Sequence, residues 1–214
     1  MRKLIFSLFV VAIFCISCGS KSEQQAIIST DFGDITIVLY DHTPNHRDNF
    51  IKLVKEKYYD DLLFHRVMSG FMIQGGDPNS KGAAPGVQLG NGGPGYTIPA
   101  EIGSPHFRGA LAAARTPTGV NPQRESSGSQ FYIVQGRNVR DSELDMIENR
   151  WGIKYSPEQR ALYKQIGGRP DLDMDYSVFG EVVSGIEVID KIAAVQTAPG
   201  DRPVEDVKMR IRLK

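Results

Sequence analysis

The chain has 214 residues, 41% apolar and 23% charged, which is the balance of one ordinary globular domain with a single core and leaves no room for a large second one. Lys plus Arg equals Asp plus Glu at 25 each, so no overall field draws the protein to nucleic acid or to an anionic surface. The 22 glycines and 12 prolines concentrate between Gly75 and Pro122, which predicts long ordered loops around short strands and few helices.

Arg2 and Lys3 precede an apolar run from Leu4 to Ile16, the layout of a secretory signal. At about 1.5 Å per residue the run spans roughly 20 Å as a helix, short of the ~30 Å hydrocarbon core, so a permanent transmembrane anchor is disfavoured. The following Ile16-Ser17-Cys18-Gly19-Ser20 resembles the bacterial lipoprotein cleavage box, in which a small residue precedes a cysteine that is acylated after cleavage; Cys15 departs from it, standing where leucine is usual. The resemblance implies a signal peptide over residues 1–17, a lipid on Cys18, a small polar tether over 18–25 and an exported cell-envelope lipoprotein on the periplasmic side or outer surface. Cys15 and Cys18 are the chain's two cysteines, so the domain that follows has none to pair. Cleavage removes Arg2 and Lys3 and leaves the mature chain slightly acidic.

The folded domain is expected over residues 26–214. Alternating runs around Asp31-Phe-Gly-Asp34, with Ile35, Ile37 and Leu39 on one face, predict an opening hairpin. Thr43-Pro44 offers an N-cap and a first-turn proline, and Phe50, Leu53 and Val54 recur at helical spacing. Pro78 to Pro99 is glycine-rich, but no Lys-Ser or Lys-Thr pair follows, so an ordered loop is predicted and a nucleotide cradle rejected. A helical insertion is predicted over about 138–169: Leu144, Ile147 and Trp151 repeat at helical spacing, then Ser156-Pro-Glu-Gln159 forms a capping box, and Gly167-Gly168 stops the run. Ile186, Ile189 and Ile192 mark a shorter helix. Val207, Met209, Ile211 and Leu213 alternate with basic residues in a last strand, so strands open and close the domain as a closed sheet requires.

The segment Phe64-His-Arg-Val-Met-Ser-Gly-Phe-Met-Ile-Gln-Gly-Gly-Asp77 resembles the signature of cyclophilins. Gly109-Ala-Leu-Ala-Ala-Ala-Arg115, Gly128-Ser-Gln-Phe-Tyr-Ile133, Leu172-Asp173 and Val178-Phe-Gly-Glu-Val182 follow in family order. The resemblance implies a mainly β protein, a closed eight-stranded antiparallel barrel capped by two helices, with a proline-binding groove on its outside. It implies a peptidyl-prolyl cis/trans isomerase that needs no cofactor or metal and acts, as a monomer, on proline-containing segments of unfolded or flexible exported proteins. By position in the motifs, Arg66 and Gln74 would be catalytic. Phe71, Met72, Tyr132 and Leu172 would hold the proline ring, Gln130 would bind substrate or steady Arg66, and the backbone of Ala114 and Arg115 would pair with the peptide. Tyr176 would touch the edge of the groove. Asp171 falls where the tryptophan linked to ciclosporin binding would sit, which implies weak ciclosporin affinity.

The chemistry suits those residue types. A prolyl bond prefers trans only weakly but must cross roughly 20 kcal/mol, because the C–N bond has double-bond character. In the twisted state the imide nitrogen turns pyramidal and can accept a hydrogen bond. A guanidinium, always protonated and with rigidly placed donors, can meet that lone pair without transferring a proton. Ser126, Ser127 and Ser129 lack a nucleophile elbow and a base, and His42, His46, His65 and His106 are scattered, so hydrolase and metalloenzyme readings find no support. The alternative is a cyclophilin-shaped chaperone or adaptor with little catalysis; on that reading, excision of the insertion would abolish partner capture and spare turnover of a short peptide.

Overall fold

The computed structural model describes residues 24–214. Cys18 and the expected signal and tether up to residue 23 lie outside the described residues. The first strand, β1 (Gln25–Thr30), begins one residue before the expected domain start and pairs antiparallel with β2 (Gly33–Leu39) across the Asp31–Phe32 turn. Ile35, Ile37 and Leu39 are buried, as strand alternation requires.

Helix α1 (Pro44–Lys55) buries His46, Phe50, Leu53 and Val54. Thr43 stands at its N-cap, but its hydroxyl does not cap. Glu101 does so from a distant loop, accepting the backbone N–H groups of Asn45 (3.1 Å) and His46 (3.0 Å). A long-range carboxylate thus supplies what the local sequence offered.

Strands β3 (Leu62–Leu63), β4 (Arg66–Met68) and β5 (Met72–Gly75) follow. Further along are β6 (Thr97–Ile98), β7 (Ala110–Ala113), β8 (Ser126–Ser127) and β9 (Phe131–Val134). Then come helices α2 (Asp141–Trp151) and α3 (Pro157–Ile166), strand β10 (Val178–Ser184), helix α4 (Ile186–Ala193) and strand β11 (Lys208–Leu213). Among the described residues the main sheet is antiparallel and nine-stranded, in the order β3-β11-β1-β2-β10-β7-β9-β5-β4, with β6 and β8 paired separately.

This corrects the expectation of a closed eight-stranded barrel. The sheet curls until its ends, β3 and β4, are neighbours in the chain, but no ladder joins them. The reason lies at Phe64-His65, where the backbone changes partners: Phe64 N–H still donates to Val207 O (2.9 Å), whereas Val67 N–H donates to Asp201 O (2.8 Å) and Arg66 to Met68 pair with β5. One extended run is thereby split into two short strands, and the sheet stays open at that seam.

The core lies inside the curl, under α1 and α4. Phe50, Phe64, Phe131 and Tyr59 meet largely edge to face, Phe50 and Phe131 at 5.7 Å between centroids. The excursion is built as two capped helices: Arg140 N–H donates to Glu143 and Gly152 (φ 65°) ends α2, then Ser156 and Gln159 bond reciprocally at the start of α3. Leu144, Ile147, Tyr155 and Tyr163 form its own small core against Phe107 and Trp151.

Candidate active site

Strand alternation sorts the signature residues onto two faces. On β4 and β5, Val67 and Ile73 enter the core, while Arg66, Met68, Met72 and Gln74 point outward. Register then aligns the outward residues. Arg66 is opposite Gln74, Gln74 opposite Tyr132, and Tyr132 opposite Ala112, one row across β4, β5, β9 and β7; Met68, Met72 and Val134 make the next. Ala110, Ala112 and Ala114 present only methyl groups beside these long side chains, and the step in height leaves a trough.

The trough is a groove of ≈ 830 Å³ lined by Arg66, Phe71, Met72, Gln74, Ala114, Arg115, Tyr132, Leu172 and Tyr176. Nine of the ten expected groove residues therefore meet at one place. Gln130 lies behind the wall instead. Its Oε1 accepts from Gln74 Nε2 (3.0 Å), and its own Nε2 donates to the carbonyls of Gly90 (2.9 Å) and Gly92 (2.7 Å). Gln130 thus orients Gln74 and ties down the glycine-rich loop.

The Arg66 side chain is 39% exposed. Its guanidinium lies 5.9 Å from the Phe71 ring centroid and donates to Gln74 Oε1 (3.4 Å), Met68 Sδ (3.1 Å) and Asp201 Oδ2 (3.4 Å). These bonds are mostly long, so donors can be redirected to a substrate at little cost. Arg115 is the opposite case. Its guanidinium, 3% exposed, is bound by Asp175 O (3.1 Å), Asp175 Oδ1 (2.7 Å) and Thr116 O (3.0 Å) and lies over Tyr176 at 4.6 Å. It braces the wall. Ala114 N–H donates to Gln130 O (3.0 Å) and its carbonyl accepts from Ser127 N–H (2.8 Å), so both backbone groups of Ala114 are engaged within the protein.

Several contributors gave no signal in the sequence. Arg169 lies over Phe71 at 3.8 Å and is held by Asp171 (2.8 and 2.7 Å), so Asp171 is engaged in an ion pair at the rim. Arg202 clasps the glycine-rich loop through the carbonyls of Ala83 (3.2 Å), Ala84 (2.9 Å) and Val87 (3.1 Å), and Asp77 accepts the N–H of Gly90 from the other side. That loop and residues 198–206 carry the groove beyond Arg66. No local pattern announces contacts across more than a hundred residues.

His65, in the groove wall, is buried, and desolvation lowers its pKa to about 4, opposed by the charge of Asp77. The unfolded chain, with its ordinary value near 6.5, binds the proton more readily. The stabilisation is therefore complete above about pH 6.5 and is lost as pH falls toward 4. His46, lowered by burial against the pull of Glu101, contributes in the same sense. Urea unfolding at pH 7 and pH 4.5 should show wild type losing about 2 kcal/mol more than His65→Gln; equal losses would remove His65 from this account.

Comparison with known proteins agrees with this geometry. A family profile described as cyclophilin-type peptidyl-prolyl cis-trans isomerase/CLD matches residues 26–212. A putative bifunctional phosphatase/peptidyl-prolyl cis-trans isomerase of Streptococcus pyogenes is 37% identical over 88% of this chain, which spans only 38% of that protein. A putative peptidyl-prolyl cis-trans isomerase of Staphylococcus aureus is 33% identical over 87% of this chain and 89% of its own length. Among solved structures, a Cryptosporidium parvum cyclophilin-type peptidyl-prolyl cis-trans isomerase superposes with a TM-score of 0.62 at 24% identity, over 90% of this chain and 98% of that one. The same protein crystallised in the presence of the dipeptide Ala-Pro gives a TM-score of 0.61. With the signature residues gathered around one outer groove and a family match spanning nearly all the described residues, the chain belongs to the cyclophilin-type peptidyl-prolyl cis-trans isomerases.

Proposed function

We propose that this isomerase is an exported, lipid-anchored envelope protein, working as a monomer on proline-containing segments of other exported proteins, with Arg66 as the group that favours the twisted bond. The observation that carries the reading is the Arg66 guanidinium, half-exposed above an apolar floor of Phe71, Met72 and Leu172 and backed by the Gln74–Gln130 pair. The floor grips the proline ring while the preceding carbonyl turns. As amide resonance breaks, the nitrogen lone pair gains a charged donor that the planar ground state cannot use, which is selective binding of the transition state. An acceleration of about 10⁵ requires roughly 7 kcal/mol. A charge-assisted hydrogen bond in a partly dry groove, with the ring held in place, supplies much of it. The Ala-Pro dipeptide in whose presence the Cryptosporidium protein was crystallised is of the size this floor would take. Asp171, paired with Arg169 in place of an indole, supports weak ciclosporin binding.

The lipid, the export and the client class rest on the Arg2 to Ser20 pattern. Mass spectrometry of the mature N-terminus tests them, and an unprocessed Met1 or an unmodified Cys18 would overturn the anchor. An exchange-NMR assay on a short Xaa–Pro peptide tests the catalytic role of the groove. Acceleration well above buffer is expected, and its absence would leave a peptide-binding chaperone. One feature favours that second reading: the groove runs on past Arg66 between Val87 and Val204, both about half-exposed, and so could hold more of an extended chain than one proline.

A further inference from the structure

Beneath the proline pocket a chain of buried polar groups leads from the groove floor into the helical excursion. The Tyr132 hydroxyl meets His106 Nε2 at 3.0 Å. His106 Nδ1 meets Asp173 Oδ1 at 2.8 Å, and the His106 backbone N–H donates to the same oxygen at 2.7 Å. The other oxygen, Asp173 Oδ2, accepts from Tyr155 (2.5 Å) and Tyr163 (2.6 Å). Tyr155 lies between α2 and α3, and Tyr163 lies on α3. All five side chains are buried.

Asp173 accepts from His106 Nδ1 and from both phenols, and His106 Nε2 and the Tyr132 hydroxyl bond to each other. Burial pushes the pKa of Tyr132, Tyr155 and Tyr163 upward, with the Asp173 charge adding to it, so the phenols keep their protons, and Tyr155 and Tyr163 donate to Asp173. The backbone reinforces the path: Arg169 N–H donates to His106 O (2.8 Å) and Arg108 N–H to Gly167 O (3.1 Å), stitching the exit of the excursion to the segment that bears His106. At the groove end the Tyr132 ring stacks on His106 (6.1 Å, 12°) and meets Tyr176 edge-on at 6.0 Å, so the hydroxyl bond fixes the tilt of a ring that lines the pocket.

We propose that the excursion braces the active groove from within: Tyr155 and Tyr163 lock Asp173, Asp173 orients His106, and His106 sets the Tyr132 ring against the proline. Tyr155, Tyr163, Asp173 and His106 are positioning residues, acting through Tyr132. This reverses one expectation from the sequence. Excision of residues 139–168 removes both phenols, leaves a buried carboxylate short of two donors, and so impairs turnover even of a short peptide.

The inference rests on the groove being the prolyl site, and the test separates the two. In the full chain, Tyr132→Phe, the pair Tyr155→Phe/Tyr163→Phe, and all three together are assayed for kcat/KM on a short Xaa–Pro peptide. Each of the first two is expected to lose about fivefold, and the triple variant no more than about fivefold, because every change breaks the same relay. Losses that multiply to about 25-fold, or a paired variant with wild-type kcat/KM, overturn the relay. A second readout is the ¹⁵N NMR signal of the His106 ring. In wild type it shifts when the peptide binds, and in Tyr132→Phe the shift is abolished while the peptide still binds; persistence of the shift overturns the proposal. Should the paired variant fail to fold, Tyr163→Phe alone decides by the same signal, which must respond less to peptide than in wild type. An inactive wild type would sink the catalytic role of the groove, while the NMR readout, needing only peptide binding, would still judge the brace.

Discussion

Replacement of Arg66 by alanine should lower kcat/KM for a short Xaa–Pro peptide by about 10²–10³-fold, the usual cost of deleting a donor aimed at charge that develops in a transition state. The melting temperature should move by no more than about 4 °C. The two expectations have separate causes. Arg66 and Asp201 are each about 40% exposed and meet at 3.4 Å, the geometry of a surface ion pair, which contributes about 0–1 kcal/mol to folding. On the proposed mechanism the contribution to the barrier is larger, because the bond to the prolyl nitrogen would form only when the amide is twisted. Arg66→Lys should recover less than about tenfold of the loss, since an ammonium keeps the charge but not the planar fork that can hold Gln74 and reach the nitrogen together. A variant without the guanidinium that kept a third or more of its activity would end the mechanism.

The second large effect is on stability. Gly76, in the Gly75-Gly76 pair of the signature, has φ +89°, and an added Cβ would lie 2.2 Å from the carbonyl oxygen of Ser129 and 3.0 Å from Gln130 Cα. These are backbone atoms, and they cannot yield locally: Ser129 Oγ donates to Gly76 O at 2.8 Å, and the next residue, Asp77, anchors the glycine-rich loop. Gly76→Ala should therefore destabilise the protein by about 3 kcal/mol or more, combining backbone strain with overpacking. It should lower activity as well, by moving Gln130 away from Gln74. Gly70→Ala is the control, because φ is also positive there (+72°) but nothing lies within 4 Å of the added atom. Only the conformational cost of about 1 kcal/mol remains. Equal urea midpoints for the two variants would show that the close approach to Ser129 does not matter.

Both predictions concern residues of the signature, and it was there that the chain was most legible. The Phe64 to Asp77 run named Arg66, Phe71, Met72 and Gln74 through its likeness to the family signature, and the register of its two strands then puts Arg66, Met72 and Gln74 on the outer face. The two excursion helices were equally readable, because a capping box and a terminal glycine pair are local devices. The strand count was not. The break at Phe64-His65 depends on Val207 and Asp201 offering carbonyls from a distant loop, and no periodicity encodes a change of partner.

The sequence by itself determined the faces of the opening hairpin, where the excursion begins and ends, and to which family the chain belongs, because periodicity, caps and motif spacing are short-range and survive in one dimension. Only the tertiary structure decided what those residues do for one another. It drew Gln130 behind the wall, tied the Arg115 side chain to Asp175, and joined Tyr132 to Tyr155 and Tyr163 through His106 and Asp173. Each is a choice of hydrogen-bond partner among buried polar groups far apart in the chain. Such choices are settled by the need to satisfy every buried donor and acceptor at once, a condition of the whole fold.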